Sequence, residues 1–347
     1  MSLPSACSSS SWLSGRPGSS AGGTRVKKYG KWAFYLLLIV IVALIPLYLN
    51  RSKSGKYTIQ VLTMAMIWAI ATLSLNLILG YTGQASLAHG AFLGIGAYAF
   101  GIFVERVGIN IWPALILASL ITAFLGMLVG LPSLRTKGPY FAIVTLCFNV
   151  IVFKVFENWT WLSGGLRGQK VTMPSYLEAR WARYYVVLGF LILAILIERQ
   201  IVKSLLGSSF IAIRSNENLS EAVGINSFRT KLLSFTVSCF MVGLAGGLFA
   251  MEKGSLDYTI TNYMYSFYLL IYLLIGGAAT LAGPVVGTVG LYFLLDKIKG
   301  IGEWRYFIFG LILIVVIIYF PRGIVGGAKQ FWEWAKKKYY RTGEVLE

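Results

Sequence analysis

The reactive side chains of this 347-residue chain are too few and too scattered to form a catalytic centre. There is one histidine, His89, so no pair of imidazoles can hold a metal or pass protons. The three cysteines, Cys7, Cys147 and Cys239, have neither metal-ligand nor disulfide spacing. No G-x-x-x-x-G-K-[ST] run is present, so the chain has no P-loop for ATP. No Asp or Glu falls inside a long apolar stretch, which argues against a proton-coupled carrier and against a channel with an acidic ring. No catalytic residue, metal or cofactor is expected.

What remains is a set of uncharged polar groups among glycines. Asn76, Gln84, Ser86 and His89 share one short region with Gly80, Gly83, Gly90, Gly94, Gly96 and Gly101. Glycine weakens a soluble helix. Inside a membrane it lets backbones approach closely, or lets a helix break where it lines a cavity. Unwound backbone with uncharged polar groups can hold a small amphipathic molecule at mid-membrane. A second region contains Gly276, Gly277, Gly283 and Gly287. Moved by 193 positions, Gly276, Ala278, Gly283 and Gly287 fall on Gly83, Ala85, Gly90 and Gly94. Such a weak internal repeat of interrupted segments points to a transport path, or to two ordinary packing faces. His89 is either a buried neutral imidazole that donates to a backbone carbonyl or a residue of the path. Asn149, one turn after Thr145, is either an interhelical hydrogen-bond partner or a lining residue. Gly243, Gly246 and Gly247 read as helix packing.

These groups must sit on membrane helices. The chain is 57% hydrophobic and only 13% charged, too little charge to cover a soluble domain of this length. Eight stretches lack Asp, Glu, Lys and Arg: 32–50, 57–104, 107–134, 138–153, 184–197, 232–251, 258–295 and 306–321. A crossing needs about 20 apolar residues, so the two longest stretches hold two helices each. The expected fold is all-α and polytopic, with about ten transmembrane helices. Strands of a barrel would alternate in polarity, and these runs do not. The net charge of +18 is spread over the loops, which excludes a single nucleic-acid surface. Even-numbered loops and both tails hold 18 Lys and Arg, the other side 13, so both termini are expected in the cytoplasm of a multi-pass cell-membrane protein. Residues 1–31, Ser/Gly-rich, read as a disordered tail, 32–326 as the membrane domain and 327–347 as a basic tail.

The inside loop 198–231 stands out. Ser215 or Asn216 can cap a short helix with Leu219, Ala222 and Val223 on one face, and Gly224 suits its C′ position. Such a helix is either a docking knob for a soluble partner or a solvated connector.

Several segments in order resemble one family. They are Gly80-Tyr81-Thr82-Gly83-Gln84-Ala85-Ser86-Leu87-Ala88-His89-Gly90-Ala91-Phe92, Gly138-Pro139-Tyr140-Phe141 through Leu146, Ala212-Ile213-Arg214 through Asn226, Gly276-Gly277 through Gly287, and Pro321-Arg322-Gly323-Ile324-Val325-Gly326. The chain resembles the LivM-like membrane subunits of branched-chain amino acid ABC transporters over about residues 32–326. The resemblance implies an ABC importer permease, of many-helix, type II-like fold. Its cargo would be branched-chain amino acids, with urea, another amide or another amino acid as alternatives. It implies a second, LivH-like permease, two ATP-binding cassette subunits and an extracytoplasmic solute-binding protein as partners. It further implies ATPase coupling through Arg214, Glu217, Glu221, Ala222 and Gly224. The substrate path falls to Asn76, Gly83, Gln84, Ser86, His89, Gly90, Thr145, Asn149, Gly276, Gly277 and Gly283. Arg167, in the segment Gly164–Gln169, departs from the family pattern. From the residues alone, an ATP-independent facilitator is the rival reading.

Overall fold

The computed structural model describes residues 53–298, apart from 137 and 165–167, and the further positions 46, 300, 310, 311, 314, 318 and 323–327. The expected tails at 1–31 and 327–347, the first span at 32–50, the last at 306–321 and Arg167 fall outside these residues but for isolated positions.

The described chain is a helical bundle. Helix α1, Lys53–Leu75, continues into a π turn, Asn76–Tyr81. Then follow α2 His89–Glu105, α3 Ile111–Ser133, α4 Pro139–Asn158 and α5 Arg180–Lys203. Two short helices, α6 Leu205–Ser215 and α7 Glu217–Ala222, lead to α8 Ser227–Lys253. The last pair is α9 Tyr263–Gly276 and α10 Gly283–Lys297. Among the described residues five helices are long and apolar enough to cross a membrane: α1 with its π turn, α3, α4, α5 and α8. At 14 and 15 residues, α9 and α10 reach only about 21–23 Å each.

Helices α1, α2 and much of α8 are buried, whereas α3 and α4 turn apolar side chains outward. Ile116, Leu120, Phe124 and Leu131 form such a stripe on α3, at the spacing that keeps one helix face together. Close packing in the centre rests on small residues. A Cβ on Gly96 would stand 2.4 Å from Gly243 O, and one on Gly246 would stand 2.1 Å from Leu93 O. Backbone therefore lies against backbone where α2 crosses α8, the arrangement small residues allow in lipid. Buried hydroxyls on the helices donate back one turn, as Thr72 does to Trp68 O and Ser119 to Leu115 O, both at 2.8 Å.

The bundle has two ends. At one, β1 Gln169–Lys170 pairs antiparallel with β2 Ser255–Leu256, Gln169 opposite Leu256. Tyr57 Oη donates to Asp296 Oδ1 at 2.8 Å at that end, and Arg183 faces Glu252 at 3.4 Å. We call it the sheet end. From β2 the chain runs back along α2. Leu256 lies by Gly101, Thr261 by Gly94, and Asn262 and Ser266 by Gly90. Helix α9 thus starts beside Gly90, near the beginning of α2, rather than at the sheet end.

Two expectations are corrected here. Segment 198–231 is not a loop. It is the end of α5, all of α6 and α7, and the start of α8. Nor do the helices stop where the charge-free stretches 184–197 and 232–251 end, so two carboxyl groups lie on membrane-length helices. Glu198 is wholly buried on α5, and Glu252 nearly so on α8. A charge does not limit a span: a helix continues past it when a neighbouring helix supplies a polar partner, as Asn76 does for Glu198 and Arg183 for Glu252. The small β1–β2 pair is an addition to the helical reading.

A leucine at Gly246 would force α2 and α8 apart. Gly246→Leu is expected to destabilise the protein by about 2 kcal/mol or more. Gly290→Ala, at a position with no neighbouring atom within 4 Å among the described residues, is expected to leave stability unchanged or slightly improved. Thermal unfolding in detergent compares the two.

Candidate functional site

The end opposite the sheet carries two helix breaks that touch. The first follows the π turn. Gly83, at φ +80°, ends the helix, and residues 82–88 lead irregularly to α2. The second lies between α9 and α10. There Gly277 has φ +113° and Ala279 φ +60°, and Thr280 Oγ1 donates to Gly277 O at 2.8 Å while accepting from Gly283 N at 3.0 Å. Positive φ is a glycine conformation, so residues 83 and 277 are the hinges of their turns. Helices α9 and α10 close on each other through Gly276, whose Cβ would stand 2.0 Å from Gly283 O, and Gly323 packs on Gly277.

Asn76 joins the two breaks. Its Nδ2 donates to Thr280 O at 3.0 Å and to Glu198 Oε1 at 2.6 Å, and its Oδ1 accepts from Ala279 N at 2.9 Å. One buried amide thereby satisfies backbone groups of the 277–282 turn. Gly80 makes the approach possible, since a Cβ there would stand 2.7 Å from Ala279 N.

A second group secures the backbone entering α2. Thr145 Oγ1 accepts from Leu87 N at 3.0 Å, and Asn149 Nδ2 donates to Leu87 O at 2.8 Å. Asn149 also donates to Ser266 Oγ at 2.7 Å, and the same hydroxyl accepts from Gly90 N at 2.7 Å. Both readings of Asn149 began from its place on α4; in this arrangement it is an interhelical partner. His89 lies beside this group, fully buried, with Nδ1 3.1 Å from Ser86 Oγ and Nε2 2.7 Å from Ser238 Oγ. Ser238 gives its one hydroxyl hydrogen to Ser74 O. Toward His89 it can only accept, so Nε2 carries the hydrogen and Nδ1 accepts from Ser86. The acceptor is thus a serine hydroxyl instead of the expected carbonyl.

The same end presents α7. Asn216 Oδ1 caps it by accepting from Leu219 N at 3.1 Å. It closes with Gly224 N donating to Glu221 O at 2.9 Å and Ile225 N to Ser220 O at 3.0 Å, with Gly224 at φ +93°. That pair of bonds is a Schellman ending, which requires the left-handed residue glycine supplies. Leu219 is 62% and Val223 77% exposed, and Glu221, Ala222 and Gly224 are exposed beside them. Glu217 accepts from the buried ammonium of Lys231 at 2.6 Å, which ties α7 to α8. Arg214 reaches the other way, with Nη1 donating to Gly80 O.

The residues singled out from the sequence therefore form three groups at or near one end. Asn76, Gly276, Gly277 and Gly283 build the meeting of the breaks. Ser86, His89, Gly90, Thr145 and Asn149 hold the start of α2. Gly83 is exposed and Gln84 half-buried on the edge facing Arg214. Glu221, Ala222 and Gly224 stand apart from all three. Sequence reasoning missed Glu198, Ser238, Ser266 and Lys231. Glu198 and Lys231 bound charge-free stretches, so in sequence they read as loop charges. The two serines carry no local signal, because their partners are more than a hundred positions away.

Because His89 is the one histidine, its nitrogens can be observed without assignment. Nitrogen-15 NMR of the histidine-labelled protein in detergent is expected to show the neutral Nε2–H tautomer. The Nδ1–H tautomer or a doubly protonated ring would contradict the network.

No solved structure matches the chain. The permease protein LivM of a high-affinity branched-chain amino acid transport system in Salmonella typhimurium is 28% identical over 320 residues, covering 84% of this chain and 74% of LivM. LivM of Escherichia coli K12 is 27% identical with the same coverage. The autoinducer 2 import system permease protein LsrC of Klebsiella pneumoniae is 26% identical over 310 residues, covering 83% of this chain and 84% of LsrC. The family described as "Branched-chain amino acid transport system / permease component" matches residues 57–317, a stretch that contains both breaks, the buried amides and α7. With three-quarters of its length matched and several apolar helices to span a bilayer, the chain belongs to that family and is a multi-pass membrane permease, a transport component and not an enzyme.

Proposed function

We propose that this chain is the permease subunit of an ATP-driven ABC importer that carries leucine, isoleucine, valine or a similar amino acid inward. One conjunction carries the reading. A capped helix with exposed Leu219 and Val223 stands beside Arg214, which holds the π turn where the two glycine breaks meet. An apolar knob with a polar rim fits a groove on a soluble ATPase. Pushing on it would shift α6 and α8, and through them the breaks. ATP hydrolysis belongs to two ATP-binding cassette subunits. A second, LivH-like permease and lipid cover the apolar stripes of α3 and α4.

With α7 facing the ATPases, both termini are cytoplasmic, in line with the Lys and Arg bias of 18 to 13. The sheet end then faces outward. There β1 and β2 tie segment 154–183 to 252–257, and a groove of about 480 Å³ lies between Glu105, Asn110, Thr172 and Pro174. The solute-binding protein docks on this face. The path runs along the breaks. Gly83, Gln84 and Gly277 give its edge, and Asn76, Ser86, His89, Gly90, Thr145, Asn149, Gly276 and Gly283 are uncovered when the breaks part. Uncharged amides, hydroxyls and free backbone suit a small zwitterion with an apolar side chain.

The similarity to permeases named for autoinducer 2 import supports a second reading, the same machine with another cargo. Calorimetric titration of the cognate solute-binding protein decides between them. Binding of leucine and none of urea or autoinducer 2 is expected; the reverse would reject the amino-acid cargo. For the docking helix, Leu219→Asp combined with Val223→Asp is expected to weaken ATPase binding about tenfold or more, measured by co-purification, with the permease itself still folded. Full ATPase recovery would reject α7 as the dock.

A further inference from the structure

Two side chains from one helical corner hold the π turn at both ends. Glu198 lies on α5, little more than a turn before it stops at Lys203, and accepts from Asn76 Nδ2 at 2.6 Å. Helix α6 begins at Leu205, and Gly207 sits so close to the end of α5 that a Cβ would stand 2.2 Å from Val202 O. The turn between α5 and α6 is thus closed backbone to backbone, with no room for a side chain at 207. At the far end of α6, Arg214 donates to Gly80 O. The corner thus holds residue 76, where the π turn begins, and residue 80, near its close. Asn76 in turn holds Ala279 N and Thr280 O, so whatever displaces Asn76 displaces the second break.

The choice of a carboxylate at position 198 is informative. A neutral amide or hydroxyl could accept from Asn76 with a smaller desolvation penalty. Glu198 is fully buried, and its Oε2 has no hydrogen-bond partner among the described residues. An unmet buried acceptor disfavours the arrangement that contains it, which suits a contact made to be exchanged. The π turn is itself a wide, less stable helical form found often at functional sites.

We infer that Glu198 and Arg214 form a two-point grip through which displacement of α7 moves the paired breaks, with Glu198 the positioning residue that holds or releases Asn76. The inference rests on the reading of α7 as the ATPase dock. It is tested by leucine uptake into proteoliposomes holding the assembled importer, with ATP hydrolysis and bound ATPase recorded on the same samples. Glu198→Gln keeps an acceptor for Asn76, and uptake is expected to stay within about threefold of the parent. Glu198→Leu removes the acceptor and is expected to lower uptake about tenfold or more while hydrolysis continues, so that more ATP is used per leucine. Asn76→Asp sets two carboxylates against each other. Adding Glu198→Gln restores an amide–carboxylate pair between 76 and 198 and is expected to recover part of the yield and uptake lost in Asn76→Asp, the remaining deficit being the bond to Thr280 O that the carboxylate at 76 cannot donate. Parental uptake in Glu198→Leu overturns the grip. So does a proportional fall of uptake and hydrolysis, or a double variant no better than Asn76→Asp alone. If Glu198→Leu does not assemble, the exchange at 76 and 198 decides. Failure of the docking helix is separate, since it shows in the Leu219 and Val223 variants as retained ATPase.

Discussion

A helix that stops inside hydrocarbon leaves amides and carbonyls with no water to turn to. This chain stops two helices where Asn76, Gly276 and Gly277 are buried from water, after the π turn at Tyr81 and after Gly276, and much of its polar interior answers a like requirement. Asn76 serves Ala279 N and Thr280 O; Asn149 and Thr145 serve Leu87; Ser266 serves Gly90 N. Each donor or acceptor comes from a different helix than the backbone it satisfies. The breaks are therefore held by relations between helices, and a change in those relations alters the breaks directly.

Glycine supplies the complementary condition. Side chains as short as Asn, Ser and Thr reach across only if the helices lie close, and Gly80, Gly276 and Gly96 let backbone approach backbone. The centre is consequently tight, whereas the outward faces of α3 and α4 are built from large apolar residues suited to lipid or another subunit. The polar network and the glycine packing thus belong to one design. A stiff core of α1, α2 and α8 carries a seam at one end where two turns meet, and α5–α6 and α7 border that seam.

Much of this was legible in the sequence, and the failures have physical reasons. The crowding of Gly80, Gly83 and Gly90 around Asn76, Ser86 and His89 marked the first break, and Gly276 to Gly283 marked the second, because both depend on local residue types. The limits of α7 were legible for the same reason, since Asn216 and Gly224 act on neighbours within a few positions. Glu198 was not. Its partner Asn76 is 122 positions away, and treating every charge as a loop marker placed it outside the membrane. The pairing of Gln169 with Leu256 was likewise out of reach, because two residues of strand leave no periodic pattern. His89 was legible as a buried imidazole, but the serine at its far nitrogen comes from the other side of the chain's length.

The central claim is that the two breaks separate and rejoin as the importer turns over. Spin labels at Gln84 and Ala282, on the two breaks and both at least partly exposed, report this by pulsed electron resonance in the assembled complex. The account predicts that the distance between them shifts when ATP is bound and returns after hydrolysis. An unchanged distance distribution across the nucleotide cycle, in a complex that still imports, would contradict it.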